Sequence, residues 1–290
     1  MLLANQLTYT YSGRARPAIV ALDFEIRRGE IFGFLGPSGA GKSTTQKILI
    51  GLLPGFAGSV TVFGRPLEDW GCEYYERIGV SFELPNHFLK LTALENLRYF
   101  AALYAKPALA PQALLGMVGL GADGDTPVGQ FSKGMKNRLN VARALLHDPE
   151  LLFLDEPTTG LDPVNARMIV DLIRAQQQSG KTVFLTTHTM TVAEELCDRV
   201  AFMVDGRIRL IDAPRELKLR YGRRLVRVEY RDDGHVARED YPLETLGRDE
   251  SFLRRIRESD VQTIHTQEAT LDEIFLKVTG AALAGGEEAA

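Results

Sequence analysis

The run Ile31-Phe-Gly-Phe-Leu35, followed at once by Gly36-Pro-Ser-Gly-Ala-Gly-Lys-Ser-Thr44, constrains this chain more than any other stretch. An apolar strand enters a glycine-rich turn, and the turn opens into a helix from Thr44 to Ile50. Gly36, Gly39 and Gly41 lack a Cβ, so the backbone can curl and aim successive N–H groups at one anion. The N-terminus of the following helix adds its partial positive charge at the same point. Lys42 is placed to reach β- and γ-phosphates, and the Ser43 hydroxyl to ligate Mg²⁺. A chance glycine-rich turn has no reason to carry Lys-Ser directly behind a buried strand. The chain is expected to bind a nucleotide.

At 290 residues the chain is long enough for one domain of about 200 residues and a smaller one. A hydrophobic share of 45% beside 25% charged residues fits a globular protein with a substantial core. The net charge of −4 speaks against sequence-independent nucleic-acid binding, which needs a basic surface. Cys72 and Cys197 are too few for a disulfide framework and fit a reducing cytosol. The start, Met1-Leu-Leu-Ala-Asn-Gln6, lacks the charged and apolar regions of a signal peptide. No apolar run approaches the ~20 residues of a membrane span. The longest candidate, 48–63, is interrupted by Gly51, Pro54, Gly55 and Gly58. A chain soluble by itself is expected.

Before the loop, Met1–Leu7 and Ile19–Ile26 read as strands joined by Tyr11-Ser-Gly-Arg-Ala-Arg-Pro17. Tyr11, taken alone, reads as a half-buried strand aromatic. After the loop come a strand between Gly58 and Gly64, a polar helix over 68–77, and a strand Ile78–Phe82 that runs into Glu83. Thr92-Ala-Leu-Glu95 has capping-box spacing and starts a helix to about Tyr104. A further helix is expected over Pro111–Val118. Phe131-Ser-Lys-Gly-Met135 precedes a helix with Met135, Leu139, Ala142 and Leu146 on one face.

Leu151-Leu-Phe-Leu154 reads as a parallel strand buried on both faces, and it ends in Asp155-Glu156. Two carboxylates there are costly unless a cation meets them. A metal-bound phosphate is the natural one, because ligands of α/β sheets sit at the strands' carboxyl edge. Asp162-Pro163 is an N-cap followed by proline at the first helical position. Thr182–Thr186 is the next buried strand and delivers Thr187 and His188 to the same edge. A hairpin at Asp205-Gly206 follows. Strands alternating with helices on a mostly parallel sheet define the doubly wound α/β class. From about residue 222 an alternating strand, a hairpin turn at Asp232-Asp-Gly234, a charged helix, a strand Val261–Thr266 and a helix Leu271–Val278 suggest a small α+β domain. The chain is therefore divided into 1–221, 222–280 and a frayed tail, 281–290.

Taken together and in order, these motifs resemble the nucleotide-binding domain of ATP-binding-cassette (ABC) proteins, over roughly residues 1–220. Gly36 to Ser43 matches Walker A, including Pro37, Ser38 and Ala40 between the glycines. Leu151 to Glu156 matches Walker B, and Thr159-Gly-Leu-Asp162 resembles the D-loop. His188 matches the H-loop. Phe131-Ser-Lys-Gly-Met135 matches the Leu-Ser-Gly-Gly-Gln signature imperfectly, with Lys133 for the first Gly and Met135 for Gln. The resemblance implies a P-loop ATPase fold with a helical subdomain at about 84–146, ATP and Mg²⁺ as cofactors, and ATP hydrolysis. It makes Ser43 and Asp155 the magnesium residues, Glu156 the general base and His188 a γ-phosphate contact. It also makes Tyr11 the adenine-stacking aromatic.

The same resemblance implies a head-to-tail dimer, expected as a homodimer. Ser132 and Gly134 of one subunit close over ATP held by residues 36–44 of the other, and Asp162 is counted among the nucleotide-binding residues. Glu83 departs from the family, which has Gln there. Two consequences are open: the carboxylate ligates Mg²⁺ directly, or its charge repels Glu156 and raises one of the two pKa values. The signature variant and the C-terminal segment look like bacterial ABC-2 exporters. That implies a separate membrane permease, a peripheral place on the cytoplasmic face of the membrane, and no nucleic-acid partner. The alternative class is a soluble ATP-driven switch on a non-membrane partner.

Overall fold

The computed structural model describes residues 1–105, 109–222, 224–232 and 234–280. The expected tail, 281–290, lies outside the described residues. The chain divides into two units, Met1–Asp212 and Ala213–Gly280.

In chain order the first unit contains β1 (Leu2–Tyr9), β2 (Ile19–Ile26), β3 (Ile31–Leu35), α1 (Lys42–Leu49), β4 (Ala57–Val62), β5 (Arg65–Pro66) and β6 (Ile78–Ser81). Next come α2 (Ala93–Ala101), α3 (Pro111–Met117), α4 (Lys133–Ala144), β7 (Leu151–Asp155), α5 (Pro163–Gln178), β8 (Thr182–Thr187), α6 (Met190–Leu196), β9 (Arg199–Val204) and β10 (Arg207–Asp212). Six strands form one sheet in the order β10-β9-β3-β8-β7-β6. All its pairings are parallel except β9 with β10. Strands β3, β7 and β8 are buried along their whole length, as expected of central parallel strands covered on both faces.

Strands β1, β2, β4 and β5 do not join that sheet. They form a second, antiparallel sheet in the order β2-β1-β4-β5. Phe24 of one sheet packs edge-on against Phe34 of the other, with ring centroids 5.0 Å apart, and Phe34 tilts against Phe184 at 5.0 Å. Ile48, Leu49 and Ile50 complete this core. The loop is thus mounted on a rigid wedge of aromatic packing.

Residues 68–77 do not form the expected helix. They make two 3-10 turns, Leu67–Asp69 and Cys72–Tyr74, on either side of an extended Trp70. Trp70 leaves the helical region to place its ring on Phe63 and Tyr74. Helix α2 does start on the capping box, with Glu95 N–H donating to Thr92 Oγ1 (3.1 Å) and Thr92 N–H to Glu95 Oε2 (2.8 Å). It ends at Ala101 because the next bonds tighten to i→i+3, Leu103 to Phe100 and Tyr104 to Ala101. Helices α2, α3 and α4 share buried Leu97, Leu114, Leu115 and Leu139.

The second unit holds α7 (Pro214–Tyr221), β11 (Leu225–Asp232), β12 (His235–Pro242), α8 (Glu250–Glu258), β13 (Asp260–Gln267) and α9 (Leu271–Thr279). Residues 213–221, which the sequence places in the first domain without assigning them an element, carry α7 and are grouped with this unit. Its antiparallel sheet has the order β12-β11-β13. One face carries Val226, Val228, Tyr230 and Tyr241 against Phe252 of α8.

Candidate active site

Strands β3, β8, β7 and β6 lie side by side, so their carboxyl ends bring four segments to one edge of the sheet. After β3 comes the glycine loop, after β8 His188, at the end of β7 Asp155 and Glu156, and after β6 Glu83. Residues Ser38, Gly39, Gly41, Lys42, Ser43 and Thr44 share one cleft of about 350 Å³ with Glu83, Asp155, Glu156 and His188.

The loop needs its glycines for different reasons. A Cβ on Gly36 would lie 2.1 Å from the Met203 carbonyl oxygen, so the loop can leave β3 only without one. Gly41 has φ +107 and no space for a side chain either. It precedes α1 directly and offers no side-chain cap to the helix, so backbone N–H groups stay available to a ligand. The Lys42 ammonium donates to the carbonyls of Gly36 (2.6 Å) and Pro37 (3.1 Å). Burial lowers its pKa, while the charges of Glu156, Asp155 and Glu83 oppose that shift. Tyr11 stands beside the end of the loop, its hydroxyl 3.1 Å from Thr44 Oγ1 and its ring edge-on to Tyr9.

Asp155 is 7% exposed. Burial raises its pKa, the charges of Glu83 and Glu156 add to the rise, and hydroxyls of Thr186 and Ser43 restrain it. Glu156 follows with φ +49, a left-handed conformation that costs a non-glycine residue about 1–3 kcal/mol. The kink turns its carboxylate into a cage. His188 Nδ1 lies 2.7 Å from Oε1, while the hydroxyls of Thr159 (3.1 Å) and Thr187 (3.2 Å) donate to Oε2.

The donor set suits Mg²⁺. Ser43 and Asp155 are hard oxygen donors already bonded to one another, and Asp155 is buried with Glu83 and Glu156 nearby. Among the described residues no three His, Cys, Asp or Glu side chains form a protein-only cage.

Ser132, Gly134 and Asp162 are not brought to this cleft. They line a different one of about 260 Å³, together with Lys133, Gly160 and Asn165. Ser132 caps α4 by accepting from Met135 N–H at 3.2 Å, and Asp162 caps α5 by accepting from Val164 and Asn165 N–H. The Lys133 stem runs along the D-loop, where a Cβ on Gly160 would meet its Cδ at 3.4 Å.

Several polar residues of the site stood out less in the sequence. The Thr186, Thr187 and Thr159 hydroxyls serve the two carboxylates, and the signal was three threonines in or beside otherwise apolar strands. Asn140 and Arg143 of α4 hold the Glu83 loop. Asn140 Nδ2 donates to Ser81 Oγ (2.9 Å) and the Phe82 carbonyl (2.7 Å), and Arg143 to the Asn86 carbonyl (2.9 Å). Only helical periodicity was readable there.

Comparison with known proteins places this geometry. The ABC transporter family model matches residues 19–159, and a model of the fluoroquinolone efflux ABC transporter C-terminal domain matches 224–268. A fluoroquinolones export ATP-binding protein of Mycobacterium tuberculosis is 57% identical over 94% of this chain and 91% of its own length. A Nod factor export ATP-binding protein I of Burkholderia pseudomallei is 37% identical over 89% of this chain and 91% of its own. Among solved structures, a dimeric ATP-binding cassette in a post-hydrolysis state, bound to ADP and Pi, superposes with a TM-score of 0.68. It is 27% identical and covers 73% of this chain and 98% of that one. The structure of an ATP-binding subunit of an ABC transporter gives 0.69 at 29% identity, over 76% and 93%. The chain belongs to the ATP-binding subunits of ABC transporters.

Proposed function

We propose that this chain hydrolyses ATP to ADP and phosphate in a head-to-tail pair of cassettes and so drives export through a separate permease. The observation that carries the reading is the separation of two half-sites. The loop, Asp155, Glu156 and His188 share one cleft, while Ser132 and Gly134 line another. A serine hydroxyl and a helix N-terminus suit the phosphates of a nucleotide held by a second subunit.

In this reading Gly36 to Thr44 wrap the phosphates, Lys42 leaves its loop carbonyls for the β- and γ-phosphates, and Tyr11 stacks on adenine. Ser43 and Asp155 would hold Mg²⁺, which supplies charge to the developing phosphate oxygens. Glu156 takes the proton of the attacking water, and His188 turns to the γ-phosphate. Lys133 adds a positive charge at the partner's nucleotide, and Asp162 sits at that interface.

No helix among the described residues is long and apolar enough to cross a membrane, so the transport path is assigned to a partner. The partner's docking surface is a cavity of about 640 Å³ beside Glu83, lined by Phe82, Leu84, His87, Phe88, Phe100 and Arg143. Leu84 and Phe88 are exposed there, at 77% and 45%. The partner holds the chain on the cytoplasmic face of the membrane. The 57% identity to a fluoroquinolones exporter subunit supports a cargo of that drug class.

The test is the oligomeric state of Glu156→Gln with ATP. Sedimentation is expected to show a dimer with ATP and a monomer with ADP. A monomer in both would remove the two-subunit site. Recovery of a polytopic membrane protein with the detergent-extracted chain checks the permease.

A further inference from the structure

The signature helix reaches the hydrolytic carboxylate through the chain's own D-loop. Asn137 lies on α4, five residues after the Ser132 cap, and is 6% exposed. Its Nδ2 donates to the Thr159 carbonyl at 2.7 Å. Its Oδ1 is buried with no hydrogen-bond partner. A buried amide left half satisfied is costly, so the single bond it makes has a role worth that cost.

Thr159 is tied to Glu156 twice. Its N–H donates to the Glu156 carbonyl (3.1 Å), and its hydroxyl donates to Glu156 Oε2 (3.1 Å). The signature turn also presses on the same segment, since a Cβ on Gly134 would stand 3.2 Å from the Gly160 carbonyl oxygen. Little can move at the start of α4 without moving Thr159. Little can move Thr159 without re-aiming the Glu156 carboxylate.

We propose that Asn137 and Thr159 are positioning residues for ATP hydrolysis, a two-link relay by which the signature helix of one subunit sets the orientation of that subunit's own Glu156. The relay rests on Glu156 being the base, as proposed above. Its consequence is directional. Nucleotide engaged by Ser132 in the partner's site shifts α4, Asn137 carries the shift to the Thr159 carbonyl, and the Thr159 hydroxyl delivers it to Glu156. One subunit's base is thereby tuned by the occupancy of the other subunit's nucleotide.

Steady-state ATPase of the full-length chain, with ATP affinity from a fluorescent ATP analogue, tests the relay. Thr159→Val, which keeps shape and loses the hydroxyl, and Asn137→Ala are each expected to lower kcat about tenfold, with ATP affinity changed less than twofold. Thr159→Ser restores the hydroxyl and is expected to recover most of kcat. The double variant is expected to be no slower than the slower single one, because both act on one chain of contacts. In a Glu156→Gln background neither substitution is expected to lower the residual turnover further. Multiplying effects in the double variant, a loss in the Glu156→Gln background, weakened ATP binding or an unchanged kcat each overturns the relay. Should Asn137→Ala not fold, the Thr159→Val and Thr159→Ser pair decides alone. Wild-type turnover in Glu156→Gln itself would instead bring down the assignment of the base.

Discussion

The catalytic cleft and the accessory unit use charge in opposite ways. In the cleft, Asp155 and Glu156 are buried and within reach of Glu83, and Glu156 sits on a strained backbone. In the accessory unit the charges lie on an exposed sheet face and pair across strands, Arg227 with Asp240 and Arg238 with Glu229. Its core is small, gathered around Val226, Val228, Tyr230, Tyr241 and Phe252. The cleft holds groups that cost folding energy and that the proposed reaction uses. The accessory unit holds groups that are comfortable in water and perform none that the fold reveals. Substitutions in the two regions should therefore fail in different ways.

The largest effect belongs to the cleft. Glu156→Gln keeps the size of the side chain and removes the proposed base, so turnover should fall roughly 10²–10⁴-fold. The thermal midpoint should hold or rise, because a buried charge beside Asp155 disappears. Turnover near wild type would break the comparison at its centre.

The mirror experiment is Phe252→Ala. Phe252 is 8% exposed and stands edge-on to Tyr241 at 5.3 Å. Emptying that position should cost about 3–5 kcal/mol, enough to open a unit with so small a core. Limited proteolysis should then cut within residues 213–280 while the cassette stays intact and still binds ATP. A cassette that loses ATP binding along with the accessory unit would show that the two regions are not energetically separate.

Acid should separate the regions next. His87, beside Glu83, is 8% exposed, and its pKa is lowered to about 4. Burial is the main cause; the bond to the Lys136 carbonyl opposes it, while Arg143 and Lys136 add to it. The unfolded chain binds the proton at about 6.5 and the folded cassette only near 4. Stability is therefore full above pH 6.5 and is lost as pH falls towards 4, by about 3 kcal/mol. His147, lowered by burial in the same direction, adds to the loss. His235 and His265 of the accessory unit are exposed, so that unit contributes no buried imidazole. Thermal midpoints taken from pH 7 to 4 should fall in the cassette, and His87→Gln should flatten part of that fall. An unchanged slope in His87→Gln would take His87 out of the account.

What was readable in the sequence follows the range of each interaction. The glycine loop, the Thr92–Glu95 capping box and the Asp162-Pro163 cap are local patterns, and each stands where its spacing placed it. Apolar positions between turn residues identified β1 and β2 as strands, and bounding glycines β4, but carried no information on which sheet they join. Residues 68–77 were misread because Trp70 follows its contacts with Phe63 and Tyr74, not its helix-compatible neighbours. The left-handed Glu156 and the Asn137 to Thr159 bond depend on partners 22 or more residues away. No local pattern reports such contacts.

The smallest expected effect lies on the exposed sheet face, where the geometry is nonetheless very good. Arg227 meets Asp240 through two parallel bonds of 2.7 and 2.8 Å, on directly opposed positions of β11 and β12. Both side chains are more than a third exposed. Bidentate geometry argues for strength, whereas water and salt screen the charges and two long side chains lose freedom. Screening should win. A double-mutant cycle with Arg227→Ala and Asp240→Ala should give a coupling of about 0.2–1 kcal/mol that shrinks at 1 M salt. Coupling several-fold larger and insensitive to salt would mean that this face is covered in the working protein, and that the accessory unit, like the cleft, buries its charges for a purpose.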